Sequence, residues 1–310
     1  MEKNQTKIFM GNYHDPLRKT IISFIQFPEK KEKVAVILFP IRNSNGNNWT
    51  IEVSTQVGCA VGCMFCNLPK FSENLGVKHL KQQVSLVLAV AKKFPDHFNF
   101  SNNEKFKLSF TDGGEVLLNS NFSEIVEYAV LGDLFSYLKF SSTLPNAQIV
   151  HKNFDRMIEF TEYNPDKRFH MQVSLLASND EMRKKIAKAN LMPVKVVSHY
   201  ADKFKQETGR KITLTFTMMQ GYSLVNPEEI RNQFSPDSVM IRLYALKSHA
   251  KNSLIGLQNL DESIALSLSD ELNSLGFASF YASSPQEIIV GYDDESNEEK
   301  FLQYGKRIIF

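Results

Sequence analysis

The three cysteines of the chain, Cys59, Cys63 and Cys66, all fall within eight residues. Soft thiolates that converge from one short loop are the ligands that iron and zinc prefer. A four-iron cluster takes one thiolate per iron, so the C-x3-C-x2-C spacing supplies three ligands and leaves one iron open. An open iron can bind a ligand through an amine and a carboxylate. The spacing therefore indicates an iron–sulfur cluster with a reactive fourth iron.

Other uses of these thiols are open at this point. A zinc site needs a fourth ligand, commonly from a second Cys or His pair, and the nearest downstream histidines, His79 and His97, are isolated from each other. A disulfide is disfavoured because the cysteine count is odd and Met1 leads into a polar stretch rather than a secretory signal. The cluster is thus favoured over zinc, and zinc over buried structural thiols.

A second group of candidate residues lies in residues 110–119 (FTDGGEVLLN), after a predicted strand. Paired glycines at a strand end let the backbone approach a ligand closely. The carboxylate of Glu115 can accept a charge-assisted hydrogen bond from a ligand ammonium. Asp-Gly-Gly is also ordinary turn chemistry. Taken alone, the stretch is either a turn or part of a ligand site.

Weaker candidates lie at other predicted strand ends. Ser142 belongs to a hydroxyl cluster, which can bind a ligand or simply start a loop. Arg242 and Lys247 can meet an anionic substrate or form structural ion pairs, and the structural role is slightly favoured for Arg242. His170 is expected to be a packing or surface residue rather than a catalytic one.

Composition limits the class of protein. A length of 310 residues is normal for a single α/β barrel, and a net charge of +2 implies no global field for polyanions. No apolar run approaches the roughly 20 residues of a membrane span. With unpaired thiols and no signal sequence, we expect a cytoplasmic protein that does not enter a membrane.

The elements that must hold the cysteine loop alternate regularly from Trp49 onward. Apolar periodicity predicts strands at 49–54, 106–110, 137–141, 169–175, 212–218 and 239–244. It predicts intervening helices at 80–94, 122–131, 147–160, 180–189, 194–207 and 227–234. Repeated strand–helix units imply parallel strands with right-handed crossovers. The fold class is therefore α/β, a partial (β/α)6 barrel.

Three regions follow from this pattern. Residues 1–48 are an accessory extension, interpreted as a small hairpin with a strand at 34–39 and a turn at 43–48. Residues 49–260 form the barrel. Residues 261–310 complete the core with a helix at 261–275 and short strands at 277–281 and 287–290. Functional residues collect at the carboxyl ends of parallel strands, which is where the cysteine loop is placed.

These motifs resemble those of the radical S-adenosylmethionine (SAM) superfamily. The cysteine spacing is similar to its signature, and residues 113–115 (GGE) look like the motif that its members place on the methionine amino group. The resemblance implies a [4Fe-4S] cluster on the three cysteines and SAM bound by Gly113, Gly114 and Glu115. It also implies cleavage of SAM to a 5′-deoxyadenosyl radical, with an electron from a partner such as flavodoxin or ferredoxin.

Within the superfamily the chain resembles the adenine methyl synthases of ribosomal RNA and tRNA. Residues 53–59 (VSTQVGC) and 114–119 (GEVLLN) are similar to their segments, although Val116 stands where they have proline. Residues 174–183 (SLLASNDEMR) are also similar, with Leu176 in place of their histidine. The resemblance adds Ser174 and the nearby Asn190 to the expected SAM site, alongside Ser142.

Two positions depart from this subgroup. Its members need a cysteine near the C-terminus that carries the methylene, and another, seven residues before the first cluster cysteine, that resolves the RNA adduct. No cysteine follows Phe277 here, and Glu52 occupies the second position. A carboxylate cannot do the work of that thiolate. Glu52 is instead a catalytic candidate that faces the substrate as a polar contact or proton acceptor, or else a strand glutamate paired with a Lys or Arg.

The sequence thus predicts a monomeric radical SAM enzyme that modifies an RNA base or a nucleotide-like substrate, without cysteine-dependent methylation. Two alternatives stay open. One is a radical SAM enzyme that acts on a small molecule or a peptide. The other is a non-catalytic iron–sulfur or RNA-binding protein, which would not need to retain the SAM-contacting motifs.

Overall fold

The computed structural model describes residues 9–15, 19–27, 33–40, 49–101, 103–222, 224–246, 252, 255–282 and 306–308. For residues 9–15, 112 and 306–308 it describes the backbone alone. The predicted turn at 43–48, Lys247 and the predicted strand at 287–290 lie outside these residues.

The strands of the described residues form one sheet of 11 strands and a separate two-stranded ribbon. The strands are β1 (Phe9–Asp15), β2 (Thr20–Gln26), β3 (Val34–Pro40), β4 (Trp49–Ser54), β5 (Gln56–Val57), β6 (Glu73–Asn74), β7 (Phe106–Gly113), β8 (Phe135–Ser142), β9 (Arg168–Ser174), β10 (Ile212–Met218), β11 (Val239–Ala245), β12 (Ala278–Ala282) and β13 (Lys306–Ile308). The sheet order is β12-β11-β10-β9-β8-β7-β4-β3-β2-β1-β13, and β5 pairs with β6 in the ribbon.

Helices connect the strands of the parallel part. They are α1 (Val77–Ala91), α2 (Phe122–Leu131), α3 (Gln148–Tyr163), α4 (Asp180–Ile186), α5 (Val194–Thr208), α6 (Pro227–Gln233) and α7 (Glu262–Ser274), and a 3-10 turn spans Val116–Leu118. None of the described helices combines the length and the apolar character that crossing a membrane requires.

The parallel part confirms the predicted α/β class. Strands β4 and β7 to β12 lie side by side in chain order, and each adjacent pair is parallel. Their alternate apolar side chains, for example Leu108, Phe140 and Leu214, are fully buried on the face that the helices cover. The core therefore lies between this face and the helices. The sheet stays open, with β12 as its edge strand at this end.

The N-terminal extension differs from the predicted hairpin. Strands β1, β2 and β3 are antiparallel to one another, and β3 pairs antiparallel with β4. The extension therefore continues the same sheet rather than standing apart from it. Strand β1 was not predicted because its sequence, FMGNYHD, is rich in residues that are uncommon in strands. Strand β13 pairs with β1 at the far edge.

Candidate cluster and cofactor site

The cysteine loop leaves the end of β4 and is fixed to the segment that follows it. The Cys59 N–H donates to the Pro69 carbonyl at 2.9 Å. Gly58 has a φ of +72°, and a Cβ there would lie 2.3 Å from the Lys70 carbonyl oxygen. Only glycine permits this approach of the two chains. The glycine and this hydrogen bond therefore set the path of the loop into the site.

The other side of the loop is held by the chain after α4. The Met64 N–H donates to the Ile186 carbonyl at 2.9 Å. The N–H groups of Lys188 and Ala189 both donate to the Val61 carbonyl, at 3.1 and 3.0 Å. The loop is thus clamped between two separate segments, which fixes the three thiols before any ligand binds.

The three thiols lie close to one another. None of them forms a disulfide, and all are half-buried. Burial raises the pKa of Cys59 to about 12, and the charges of Glu115 and Cys66 raise it further. Burial also raises the pKa of Cys63 well above its usual value, helped by Cys66, Cys59 and Glu115. Thiols that raise one another's pKa must lie near one another. A bound metal offsets the cost of deprotonating them, because its positive charge stabilises the thiolates.

This donor set fits a cluster in which each thiolate ligates a different iron. Among the described residues, no group of three or more His, Cys, Asp and Glu side chains is arranged to hold a metal ion. A four-iron cluster spreads its ligands over several metal atoms, so its fit rests on the proximity and chemistry of the three thiols.

Glu115 follows the end of β7, and its charge raises the pKa of both Cys59 and Cys63. Its side chain is buried, and its Oε2 accepts from the N–H and the hydroxyl of Thr143, both at 2.9 Å. Oε1 accepts from the Leu117 N–H at 3.4 Å. Burial raises the pKa of Glu115 although these donors and Ser142 oppose the shift. Because burial makes the charged form of this carboxylate costly, a cationic ligand beside it would stabilise that charge.

The two glycines before Glu115 are required by the protein's own packing. A Cβ on Gly113 would lie 2.0 Å from the Ser54 Cα, and one on Gly114 would lie 2.6 Å from the Gln56 Cβ. Gly114 also has a φ of +102°. The close approach predicted for these glycines is therefore an approach to the protein's own backbone and side chains at Ser54 and Gln56. A contact with a ligand stays a prediction.

Gln56 is a positioning residue that sequence reasoning missed. Its Oε1 accepts from the Glu115 N–H at 2.7 Å, and its Nε2 donates to the Asn74 Oδ1 at 2.8 Å. It therefore joins the ribbon of β5 and β6 to the end of β7. Gln56 lay within the matched segment 53–59, but a glutamine in a strand carries no signal of this role.

The other predicted SAM-binding residues lie at the same end of the sheet as Glu115, one or more strands away from it. Ser142 lies at the end of β8, hydrogen-bonds Glu115 and accepts from the Leu144 N–H at 2.9 Å. Ser174 is half-buried at the end of β9. Asn190 is exposed, and its carbonyl accepts from the Asn146 N–H at 2.9 Å. The structure thus brings Ser142 to Glu115 and leaves Asn190 at the surface.

The segment 174–183 owes much of its pattern to structure. Asn179 caps α4 by accepting from the Met182 N–H at 3.0 Å. The buried Arg183 donates through Nε to the Leu175 carbonyl at 3.0 Å and through Nη1 to Asp180 at 3.0 Å. These bonds hold α4 against the end of β9. The segment therefore positions the chain that clamps the cysteine loop.

Glu52 lies further down β4, apart from the cysteine loop. Its Oε2 accepts from the Ser109 hydroxyl at 3.1 Å, and its charge raises the pKa of Lys107. The carboxylate is buried on the face opposite the helices. Glu52 thus lies on the face opposite the helices, and its charge acts on a lysine. Both alternatives for Glu52, a substrate contact or a structural pair, stay predictions.

The fold resembles that of a solved structure. A protein described as a radical SAM methyltransferase from Sphaerobacter thermophilus has this fold, with a TM-score of 0.66 over 86% of this chain and 73% of that chain at 18% identity. No family model matches the sequence.

Comparison of the sequence identifies the relatives. The chain is 27% identical over 201 residues to a probable dual-specificity RNA methyltransferase RlmN from Dictyoglomus thermophilum, covering 63% of this chain and 52% of the relative. It is 27% identical over 179 residues to the ribosomal RNA large subunit methyltransferase Cfr from Shouchella clausii, covering 54% and 44%. The chain spans about half the length of these curated relatives. The resemblance stated from the sequence is confirmed, since the relatives of this chain are named RlmN and Cfr methyltransferases and the structural neighbour is named a radical SAM methyltransferase. The departure at the two cysteine positions stays a prediction.

Proposed function

We propose that this chain is a radical SAM enzyme that binds a [4Fe-4S] cluster through Cys59, Cys63 and Cys66. The observation that carries the proposal is that the cysteine loop and Glu115 are joined at the ends of β4 and β7. Gln56, three residues before Cys59, accepts from the Glu115 N–H at 2.7 Å, and the loop is held by the carbonyls of Pro69 and Ile186. Three thiols and one buried carboxylate at the ends of β4 and β7 fit a cluster with an open iron beside a cationic ligand.

Each residue then has a role that its surroundings favour. Bound cluster and SAM together supply one-electron cleavage of SAM to methionine and a 5′-deoxyadenosyl radical, which takes hydrogen from the substrate. Glu115 accepts a hydrogen bond from the ammonium of SAM, and its Thr143 and Ser142 hydroxyls can rotate to admit that donor. Gly113 and Gly114 let β7 end against β4, so that Glu115 reaches the cysteine loop. Ser174 and Asn190 are proposed to contact the rest of SAM.

The proposed substrate is an RNA base or a nucleotide-like molecule, which the names of the relatives support. The proposed chemistry is not cysteine-dependent methylation, because these 310 residues contain three cysteines and all three are assigned to iron. Glu52 is proposed as a substrate contact or proton acceptor. The setting is proposed to be the cytoplasm, where a flavodoxin or ferredoxin can reduce the cluster, and the enzyme is proposed to be a monomer.

The iron and sulfide content of anaerobically purified protein tests the cluster. We expect about four irons and four sulfides per chain, because the open-site cluster has four of each. Cys63→Ala should lose this content, since removing one of three thiolates leaves the cluster without enough ligands. Ser267→Ala, a change of similar size at an exposed position of α7, is the control and should retain it. Stoichiometric zinc without the brown iron chromophore would contradict the proposal.

A further inference from the structure

The face of the parallel sheet that the helices do not cover is polar and basic. Residues that pair in register lie on one face, and residues two apart on a strand share it. Glu52 pairs with Ser109, Ser109 with Lys139, and Lys139 with His170. The same face also carries Lys107, Tyr137, Arg168, Gln172, Thr213, Thr215 and Arg242. We call this surface the inner face. Barrel interiors are ordinarily filled by bulky apolar side chains, so a polar and basic inner face is suited to a polar ligand.

Cations from distant strands of the inner face act on one another. Arg242 on β11 and Lys107 on β7 stand four strands apart, which is about 19 Å across a flat sheet. Burial lowers the pKa of Lys107, Glu52 opposes that shift, and the charges of Arg242 and Arg168 lower it further. The cations act on one another in this way because the sheet curves and brings them towards a common interior.

His170 lies in the middle of this interior and stays neutral. Its Nδ1 lies 2.8 Å from the Tyr137 hydroxyl and its Nε2 lies 2.7 Å from the Thr213 hydroxyl. Burial lowers its pKa to about 3, and the charges of Lys139, Lys107, Arg242 and Arg168 lower it further. Among the described side chains of the inner face, four cations, Lys107, Lys139, Arg168 and Arg242, thus stand against the one carboxylate of Glu52.

Some polar atoms of this face have no partner. The Oγ1 of Thr215, the Oε1 of Gln172 and the Nε of Arg242 are buried and make no hydrogen bond to any residue that the structure describes. Thr215 and Gln172 are 8% and 5% exposed, and Thr215 pairs directly with Arg242. Buried polar groups without partners cost free energy. A ligand with anionic oxygens would satisfy the Arg242 donor and the cations around it.

The site lies within reach of the proposed SAM site. Arg242 pairs with Thr215, and Thr215 pairs with Ser174, so Arg242 lies level with a proposed SAM contact. Lys107 pairs with Tyr137, which precedes Ser142 by five residues on β8, a rise of about 17 Å. A nucleotide is long enough to place its base near SAM while its phosphate reaches the cations. We propose that the inner face binds the phosphate group of a nucleotide substrate, with Arg242 and Lys107 as principal contacts. This inference rests on the proposed function, because it assigns the substrate of the same enzyme.

Isothermal titration of the full chain with adenosine 5′-monophosphate and with adenosine tests the inference. SAM is present throughout, so that adenine does not compete for the cofactor site. We expect the monophosphate to bind at least about tenfold tighter than adenosine, because a charge-assisted hydrogen bond is lost without the phosphate. Arg242→Gln and Lys107→Gln should each remove most of this difference, whereas Arg242→Lys should retain part of it. Arg156→Gln, a change in an exposed arginine of α3, is the control and should leave it unchanged.

The outcomes separate this inference from the proposed function. Equal affinity for the two ligands, or a preference that survives both Gln variants, overturns the inference even if the protein cleaves SAM. A phosphate preference that depends on Arg242 supports it even if no cluster forms.

Discussion

Replacing Glu115 with glutamine should weaken SAM binding and stabilise the protein without SAM. The carboxylate is 3% exposed, and its oxygens accept from Thr143 and Leu117. Glutamine keeps the size but removes the charge that the SAM ammonium needs. A charge-assisted hydrogen bond contributes roughly 1.5–3 kcal/mol. Since about 1.4 kcal/mol is a factor of ten, the dissociation constant of SAM should rise by roughly 10- to 150-fold.

The effect on stability should have the opposite sign. Burial raises the pKa of Glu115, so the folded protein holds the proton more tightly than the unfolded chain. The contribution of Glu115 to stability is therefore present at low pH and is lost as the pH rises through its raised pKa. Glu115→Gln should unfold at a higher temperature than the wild type at pH 8. That gap should narrow as the pH falls towards the ordinary glutamate pKa of about 4.3.

Calorimetric titration of reconstituted protein with SAM and thermal unfolding without SAM measure the two effects. Glu127→Gln, a change in an exposed glutamate of α2, is the matched control for both. Unchanged SAM affinity in Glu115→Gln would show that the carboxylate is a structural cap of the 3-10 turn. A wild type that is the more stable protein at every pH would show that its hydrogen bonds outweigh the cost of burial.

Two further changes test other parts of the site. Gly114→Ala should cost roughly 1–3 kcal/mol in denaturant unfolding, because its φ is +102° and the new Cβ would lie 2.6 Å from the Gln56 Cβ. Gly221→Ala has a φ of +79° with nothing within 4 Å, so it should cost less, and equal losses would mean that the contact with Gln56 is unimportant. Ribosomal RNA and tRNA incubated with active protein and deuterated-methyl SAM should show no labelled methyladenine by mass spectrometry, and a labelled product would mean that another methyl carrier exists. Glu52→Gln should then lower the 5′-deoxyadenosine formed with a nucleotide substrate, and an unchanged rate would assign Glu52 to structure.

Periodicity predicts the parallel part of the fold well because each strand there is buried on one face and each helix packs an apolar stripe. The strands at 49–54 and 212–218 and the helix at 122–131 have the predicted bounds. Strand β1 escapes prediction because its place is decided by pairing with β2 and β13 rather than by its own residues.

Part of the candidate site could likewise be predicted from the sequence, and part could not. The cysteines and Glu115 are visible because their types and spacing match a specific chemistry. The contacts of Gln56 with Glu115 and of Ser54 with Gly113 join segments more than fifty residues apart, and no local pattern encodes them. The basic inner face is likewise spread over six strands, so it emerges only once the register is known.

Formation of 5′-deoxyadenosine tests the central claim most directly. Anaerobically reconstituted protein, SAM and a one-electron reductant such as dithionite are combined, and the product is quantified by mass spectrometry. We expect 5′-deoxyadenosine and methionine from the wild type and none from Cys63→Ala, because cleavage needs the cluster that this thiol helps to hold. A wild-type protein that binds four irons and SAM but forms no 5′-deoxyadenosine would contradict the account.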